Sequence, residues 1–349
     1  MIKRVTVLGG GCWGVTLASL LSEKEVDISL WEYYSDQAKR LDDTRRLKSL
    51  PRLSIPSNIE ITSNLKDACR DTDLIVFAIP SRYVRGVAKE IAERDLVDSP
   101  LIVSVSKGIE RKTLMRLSQV IADELPDRVQ SKIFVISGPS HSEEVSIKMP
   151  TVVVLACQSK DSEKEIQELF STGYFKVVLN DDIVGVELGG AIKNVIALST
   201  GICDGLKLGD NTKAALITSG FGEMIDLAVL IGAKRETLAG LAGIGDLIVT
   251  CLSQHSRNRY LGEKIGRGKK LKDALKEMTM VAEGVDTLEA VFDLAQKHDL
   301  KMPIIEELYN ILFLEKEPKE TIGNLLATLY NGEERSYSFN KKEGELIHE

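Results

Sequence analysis

Apolar positions along the chain follow two regimes. Up to about residue 180, short apolar runs of strand length alternate with stretches of helical period. Residues 5–8 form a β-branched run, followed by a helical stretch over 15–21. A second strand is predicted over 26–30, then a polar helix from Ser35 and a short strand over 59–62. Asn64, with Asp67 three residues on, reads as a helix start. The run 74–79, stopped by Pro80, has the continuous apolar character of a central strand buried on both faces. Residues 101–105 and 133–136 repeat that pattern, and 152–156 and 177–179 extend the sheet. Strands alternating with helices predict a parallel sheet covered on both sides.

The pattern changes near Asn180-Asp181-Asp182. Beyond it helical periodicity dominates. Val285, Leu288, Val291, Phe292 and Ala295 form one stripe, and Ile304, Ile305, Leu308, Ile311 and Leu312 another. The expected fold is therefore α/β: a doubly wound sheet over residues 1–181, then an all-helical domain over 182–349. Residues from Asn331 onward are polar and are expected to be loose. There is no internal repeat.

The first strand runs into Gly9-Gly10-Gly11-Cys12-Trp13-Gly14, a G-x-G-x-x-G. Gly9 permits the tight turn, Gly11 lets a pyrophosphate approach, and Gly14 lets helix and strand pack closely. The new helix start presents free N–H groups to phosphates. About twenty residues on, Glu32 ends the second strand, where an acid binds ribose hydroxyls. A glycine-rich turn alone is common; strand, helix and acid together point to a dinucleotide. Trp31 to Ser35 contain no cation for a 2′-phosphate, which favours NAD over NADP. Arg40, Arg45 and Arg46 lie further along and could fold back.

The formal net charge of −7 argues against a nucleic-acid surface, so an anionic ligand needs a local cluster of cations. The cysteines (12, 69, 157, 203 and 251) are odd in number and scattered, without C-x-x-C, which fits a reducing cytoplasm and neither a disulfide framework nor zinc. No signal peptide is expected, because the first strand starts close to Met1. The apolar runs are too short for membrane insertion.

Several residues could carry chemistry. Gly189, Lys193, Ala197 and Gly201 share one helical ridge, where a half-enclosed lysine would have a lowered pKa and act as general acid or base. The plain alternative is a surface lysine on a glycine-packed helix. Lys107 follows a strand, at the edge where ligands of such sheets lie; it is a site residue or a solvated loop lysine. Gly138 and Ser140 occupy an equivalent turn. Asp246 opens a helix after a glycine-rich turn, as N-cap or ligand. Ser256-Arg257-Asn258 suits a phosphate, or is a polar helix start. His141, His255, His298 and His348 lack metal spacing and are taken as non-catalytic, His141 alone being expected near a site, and no metal is expected.

The stretches VLGGGCWGVTLA, VSVSKGIE, ISGPSHSEEV, VELGGAIKNVIALSTGICDGLKLGDNTKAALIT, GLAGIGDLIVTCLSQHSRNRYLG and VAEGV resemble the NAD(P)-dependent glycerol-3-phosphate dehydrogenases of the bacterial cytosolic type. The resemblance covers roughly residues 4 to 330. It implies a Rossmann domain plus a helical substrate domain, often a homodimer. It implies reversible hydride transfer between dihydroxyacetone phosphate and sn-glycerol 3-phosphate, serving glycerophospholipid synthesis. By matching motif positions, Lys193 is the implied proton donor or acceptor. Lys107, Gly138, Ser140, Asp246, Ser256, Arg257 and Asn258 are implied for substrate. Cys12, Trp13, Tyr33, Lys107, Ser142, Arg257, Val281 and Glu283 are implied for the cofactor. Lys193 is expected to be oriented by Asp246 and Asn194. Three positions depart from the family: Cys12 replaces a frequent serine, Trp31-Glu32-Tyr33-Tyr34 replaces a basic or imidazole segment, and ITSG at 217–220 replaces ITRG. The competing readings are a lysine-based hydroxy acid dehydrogenase and a non-catalytic dinucleotide sensor.

Overall fold

The computed structural model describes residues 1–157, 160–278 and 281–329. Strand β1 (Arg4–Leu8) leads through the glycine turn into α1 (Cys12–Leu21). Next come β2 (Asp27–Trp31), α2 (Ser35–Thr44), β3 (Ile59–Thr62), α3 (Leu65–Ala68), β4 (Leu74–Phe77), α4 (Val84–Glu93) and β5 (Leu101–Ser104). Helices α5 (Leu117–Glu124) and α6 (Asp127–Gln130) precede β6 (Ile133–Ser137). The sheet is completed by α7 (Ser142–Val145), β7 (Thr151–Cys157), α8 (Glu163–Phe170) and β8 (Phe175–Asn180).

The strand order is β3-β2-β1-β4-β5-β6-β7-β8, so the direction of winding reverses between β1 and β4. In register, Leu8 stands beside Trp31 and Phe77, so all three chains leave the sheet at one edge. Ligands of such sheets bind outside that edge, at the reversal. Separate apolar clusters cover the two faces, one built on Val5, Val7 and Leu30, the other on Leu8, Ile75 and Phe77.

The sheet is not wholly parallel. β7 runs antiparallel to β6, and β8 is parallel to β7. A parallel neighbour needs a crossover that carries the chain back to the other end of the sheet. The link after β6 holds only the one-turn α7, so the chain turns back where it emerged.

Beyond Asn180 the described residues contain no strand. Helix α9 (Ile183–Leu206) starts at Asp182, whose carboxylate caps Gly185 N–H at 2.8 Å. It is followed by α10 (Gly209–Leu230), α11 (Arg235–Leu238), a π-helical turn (Leu241–Gly245), α12 (Asp246–Leu252), α13 (Arg257–Gly266) and α14 (Leu271–Lys276). Helices α15 (Glu283–Lys297), α16 (Pro303–Phe313) and α17 (Pro318–Leu329) close the series. The two predicted apolar stripes lie on α15 and α16 and pack into one cluster with α9. His348 and the polar tail from Asn331 lie outside the described residues.

Helix α9 is the axis of this half. Its glycine ridge admits backbone at close range: Gly189 faces the Ala242 carbonyl, and Gly201 and Gly205 face the carbonyls of Arg259 and Glu263 on α13. By length and composition α9 could cross a bilayer, so the expectation that every apolar run is too short does not hold for it. Its apolar window is 94% buried against the rest of the fold. α9 also grips the sheet half. Buried Glu187 accepts hydrogen bonds from Ser118 N–H at 2.8 Å and Ser118 Oγ at 2.6 Å, and pairs with Arg116.

Candidate active site

The glycine turn has the shape its sequence requires. Gly9 has φ +121°, a region that L side chains rarely adopt. A Cβ at Gly14 would collide with the Gly9 carbonyl. Gly11 has ordinary φ, and open space lies where its Cβ would stand. That cradle, opening on a helix start without a side-chain cap, fits a pyrophosphate. Cys12 is buried beside Ser49, and burial raises its thiol pKa. Trp13 packs against Phe175. Tyr33 and Tyr34 are exposed, with ring centroids 5.0 Å apart, edge to face. Arg45 does not fold back towards them: it pairs with Asp42 and donates to the carbonyl of Ile59 at 2.7 Å.

Across the sheet edge, three charged groups meet. Lys193 reaches inward from α9 and pairs with Asp246, which has no exposed surface. Lys107, at the exit of β5, gives its ammonium to the other Asp246 oxygen at 2.6 Å and to the Gly138 carbonyl at 3.3 Å. Burial lowers the Lys193 ammonium to about 7, with Lys107 adding repulsion and Asp246 opposing both. Burial would raise the Asp246 carboxyl, but the two lysines bring it below its ordinary value. Gly190, one turn before Lys193, leaves room for Ser137 Oγ, a buried hydroxyl without a partner. Gly138 has φ +135°, and its carbonyl also accepts from Ser140 Oγ at 2.9 Å. Ser142, buried, opens α7.

Asn194 does not orient Lys193. Its side-chain oxygen accepts from Asn258 Nδ2 at 2.9 Å, and Asn258 Oδ1 accepts from Gly284 N–H at 2.9 Å. Consecutive helical residues point about 100° apart, so Lys193 and Asn194 serve different neighbours. Ser256 caps α13 by accepting from Arg259 N–H at 3.2 Å. Arg257 is exposed and donates to the Val281 carbonyl at 3.2 Å. Glu283, half-buried at the start of α15, is raised by burial to about 7, with Arg257 opposing.

Two family models divide the chain between them. One, described as the N-terminus of NAD-dependent glycerol-3-phosphate dehydrogenase, matches residues 4–163; the other, its C-terminus, matches residues 182–323. The chain belongs to the NAD-dependent glycerol-3-phosphate dehydrogenase family. As a member, it is a nicotinamide-dinucleotide-dependent dehydrogenase with a Rossmann half and a helical half. It is 44% identical over 326 residues to glycerol-3-phosphate dehydrogenase of NAD(P)+ type from Lysinibacillus sphaericus, covering 93% of this chain and 96% of that one. Identity to the protein of the same description from Prosthecochloris aestuarii is 46% over 323 residues, covering 92% and 97%. The crystal structure of the Coxiella burnetii glycerol-3-phosphate dehydrogenase superposes with a TM-score of 0.88 at 36% identity, covering 93% and 99%.

Sequence reasoning missed several residues around this dehydrogenase site. Ser49 touches Cys12 from a loop that shows no local motif. Ser81 contributes its backbone to Glu283 from the turn after Pro80. His141, taken as non-catalytic though expected near the site, lies within reach of the charge on Lys193. Burial lowers its pKa, Lys193 adds to the effect, and its ring stands 5.9 Å from that of His255.

Proposed function

We propose that the chain catalyses reversible reduction of dihydroxyacetone phosphate to sn-glycerol 3-phosphate, with Lys193 as proton donor and acceptor. The observation that carries this reading is the burial of Lys193 against Asp246, shared with Lys107 at the sheet edge. When bound, the nicotinamide dinucleotide supplies or accepts the hydride. The glycine turn and the start of α1 would hold its pyrophosphate, and Cys12, Trp13, Tyr33, Ser142, Val281 and Glu283 would line its site.

Lys193 would give its proton to the C2 oxygen during reduction and take it back during oxidation. A pKa near neutrality suits both directions. Asp246 holds the ammonium in place, and Lys107 adds positive charge beside the developing oxyanion. Gly138 and Ser140 would bound the substrate, and Arg257 with the α13 start would bind its phosphate. One N–H of the Asn258 amide goes to Asn194 and its oxygen accepts from Gly284, so its second amide N–H and its backbone N–H are what it would offer the substrate. Ser256 accepts a cap bond and keeps its hydroxyl proton to donate.

The same reading takes residues 1–181 as the dinucleotide domain and 182–349 as the substrate domain. It places the enzyme in the cytoplasm, as a homodimer, feeding glycerophospholipid synthesis. It also assigns preference to NAD(H), because Glu32 would face a 2′-phosphate with like charge and Arg45 is committed elsewhere.

A spectrophotometric assay with dihydroxyacetone phosphate and each reduced cofactor tests this. Lys193→Met is expected to lower kcat at least ~10²-fold with cofactor affinity nearly unchanged. Comparable kcat would transfer the role to Lys107. NADH should be used better by ~10-fold, about 1.4 kcal/mol; equal use, or a preference for NADPH, would overturn the cofactor assignment.

A further inference from the structure

Glu32 turns inward. It is 8% exposed, although it stands at the end of a strand beside two exposed tyrosines. Its Oε2 accepts from Gly10 N–H at 3.1 Å, and its Oε1 accepts from Tyr34 N–H at 3.1 Å. The backbone around it is tied as well: Glu32 N–H donates to the Thr62 carbonyl at 3.0 Å, and Gly9 N–H donates to the Trp31 carbonyl at 2.8 Å. One carboxylate therefore spans the glycine turn and the first residues before α2.

Gly10 occupies a position that the G-x-G-x-x-G pattern leaves free. Its requirement here comes from Glu32. A Cβ on Gly10 would stand 2.6 Å from Glu32 Oε2, 3.0 Å from Glu32 Cβ and 3.0 Å from Leu41 Cδ1. Gly11, its neighbour, would meet nothing. Gly10 and Glu32 thus fill one volume between them, glycine giving the space and glutamate using it.

We propose that Glu32 is a positioning residue, the strut that fixes the dinucleotide turn, and that Gly10 is the space this strut needs. The proposal rests on the reading of this turn as the dinucleotide site. It assigns Glu32 a task beyond the ribose: it engages the Gly10 N–H and leaves the first N–H groups of α1 to a ligand. A carboxylate held at both oxygens by backbone donors is also poorly able to swing aside for a 2′-phosphate.

A double-mutant cycle on the full chain, read as the dissociation constant for NADH, tests the coupling. Gly10→Ala pushes the carboxylate off its donors, and Glu32→Ser removes it; each is expected to weaken NADH binding ~10-fold. In the double variant the loss should stay near ~10-fold, because the serine removes the 2.6 Å clash with the carboxylate and leaves the methyl only the two 3.0 Å side-chain contacts to adjust. Multiplied effects, near ~100-fold, would overturn the strut. Glu32→Gln keeps the shape but sets an amide donor against one backbone N–H. It should raise KM for NADH several-fold, ~3 or more, and by more than it changes KM for dihydroxyacetone phosphate. NADH binding like the wild type in this variant would also overturn the proposal. The NADH-to-NADPH ratio of the wild-type enzyme is a separate readout, so the cofactor assignment and the strut fail independently.

Discussion

At the residue scale, the proposed role of Lys193 ties activity to pH. In that role reduction needs Lys193 protonated, and its ammonium is lowered to about 7. The rate of dihydroxyacetone phosphate reduction at saturation should fall as pH rises through that value, and glycerol 3-phosphate oxidation should rise over the same range. A reduction rate that stays flat from pH 6 to pH 9 would contradict this role. Arg257 supplies the second prediction. It is exposed, so its guanidinium is open to a phosphate. Arg257→Ala should raise KM for dihydroxyacetone phosphate ~30-fold, about 2 kcal/mol for a charge-assisted contact; an unchanged KM would remove it from the site. Much at this scale was legible in the chain, because Gly9, Gly14 and the ridge around Lys193 announce themselves by spacing. The inward turn of Glu32 and the Asn194–Asn258 pairing were not legible. They depend on which distant backbone groups arrive nearby, and local pattern carries no trace of that.

At the scale of elements, α9 shows how glycine spacing becomes packing. A Cβ at Gly201 would collide with the Arg259 carbonyl, whereas one at Gly323 on α17 would meet nothing. Gly201→Ala should therefore destabilise the protein by ~2 kcal/mol or more through overpacking. Gly323→Ala should stabilise it by about 0.5–1 kcal/mol through helix propensity. Urea denaturation of the two variants checks both, and similar midpoints would contradict the packing of α13 on α9. The strands were readable from apolar runs, and the start of the helical half from the change of pattern near Asp182. The reversed direction of β7 was not, since an apolar run over 152–156 reads the same either way. Direction is decided by the length of helix in the preceding link.

At the scale of the whole molecule, no single half contains the site. Lys107 comes from the sheet, Lys193 and Asp246 come from the helical half, and Glu187 ties the halves together through Ser118 and Arg116. One carboxylate shared by two lysines leaves positive charge over; Arg257 adds to it, and Glu283 beside Arg257 offsets part of it. The chain as a whole carries −7. A doubly charged substrate therefore diffuses through a repelling outer field into an attracting mouth, and dissolved ions weaken each over a different distance. The screening length is about 30 Å at 0.01 M salt and about 3 Å at 1 M. A little salt should first quiet the distant repulsion, and more should erase the pull of the mouth. The second-order rate constant for dihydroxyacetone phosphate should pass through a maximum as ionic strength climbs, while that for uncharged dihydroxyacetone stays level. Parallel curves for the two would mean that encounter is indifferent to this arrangement of charge.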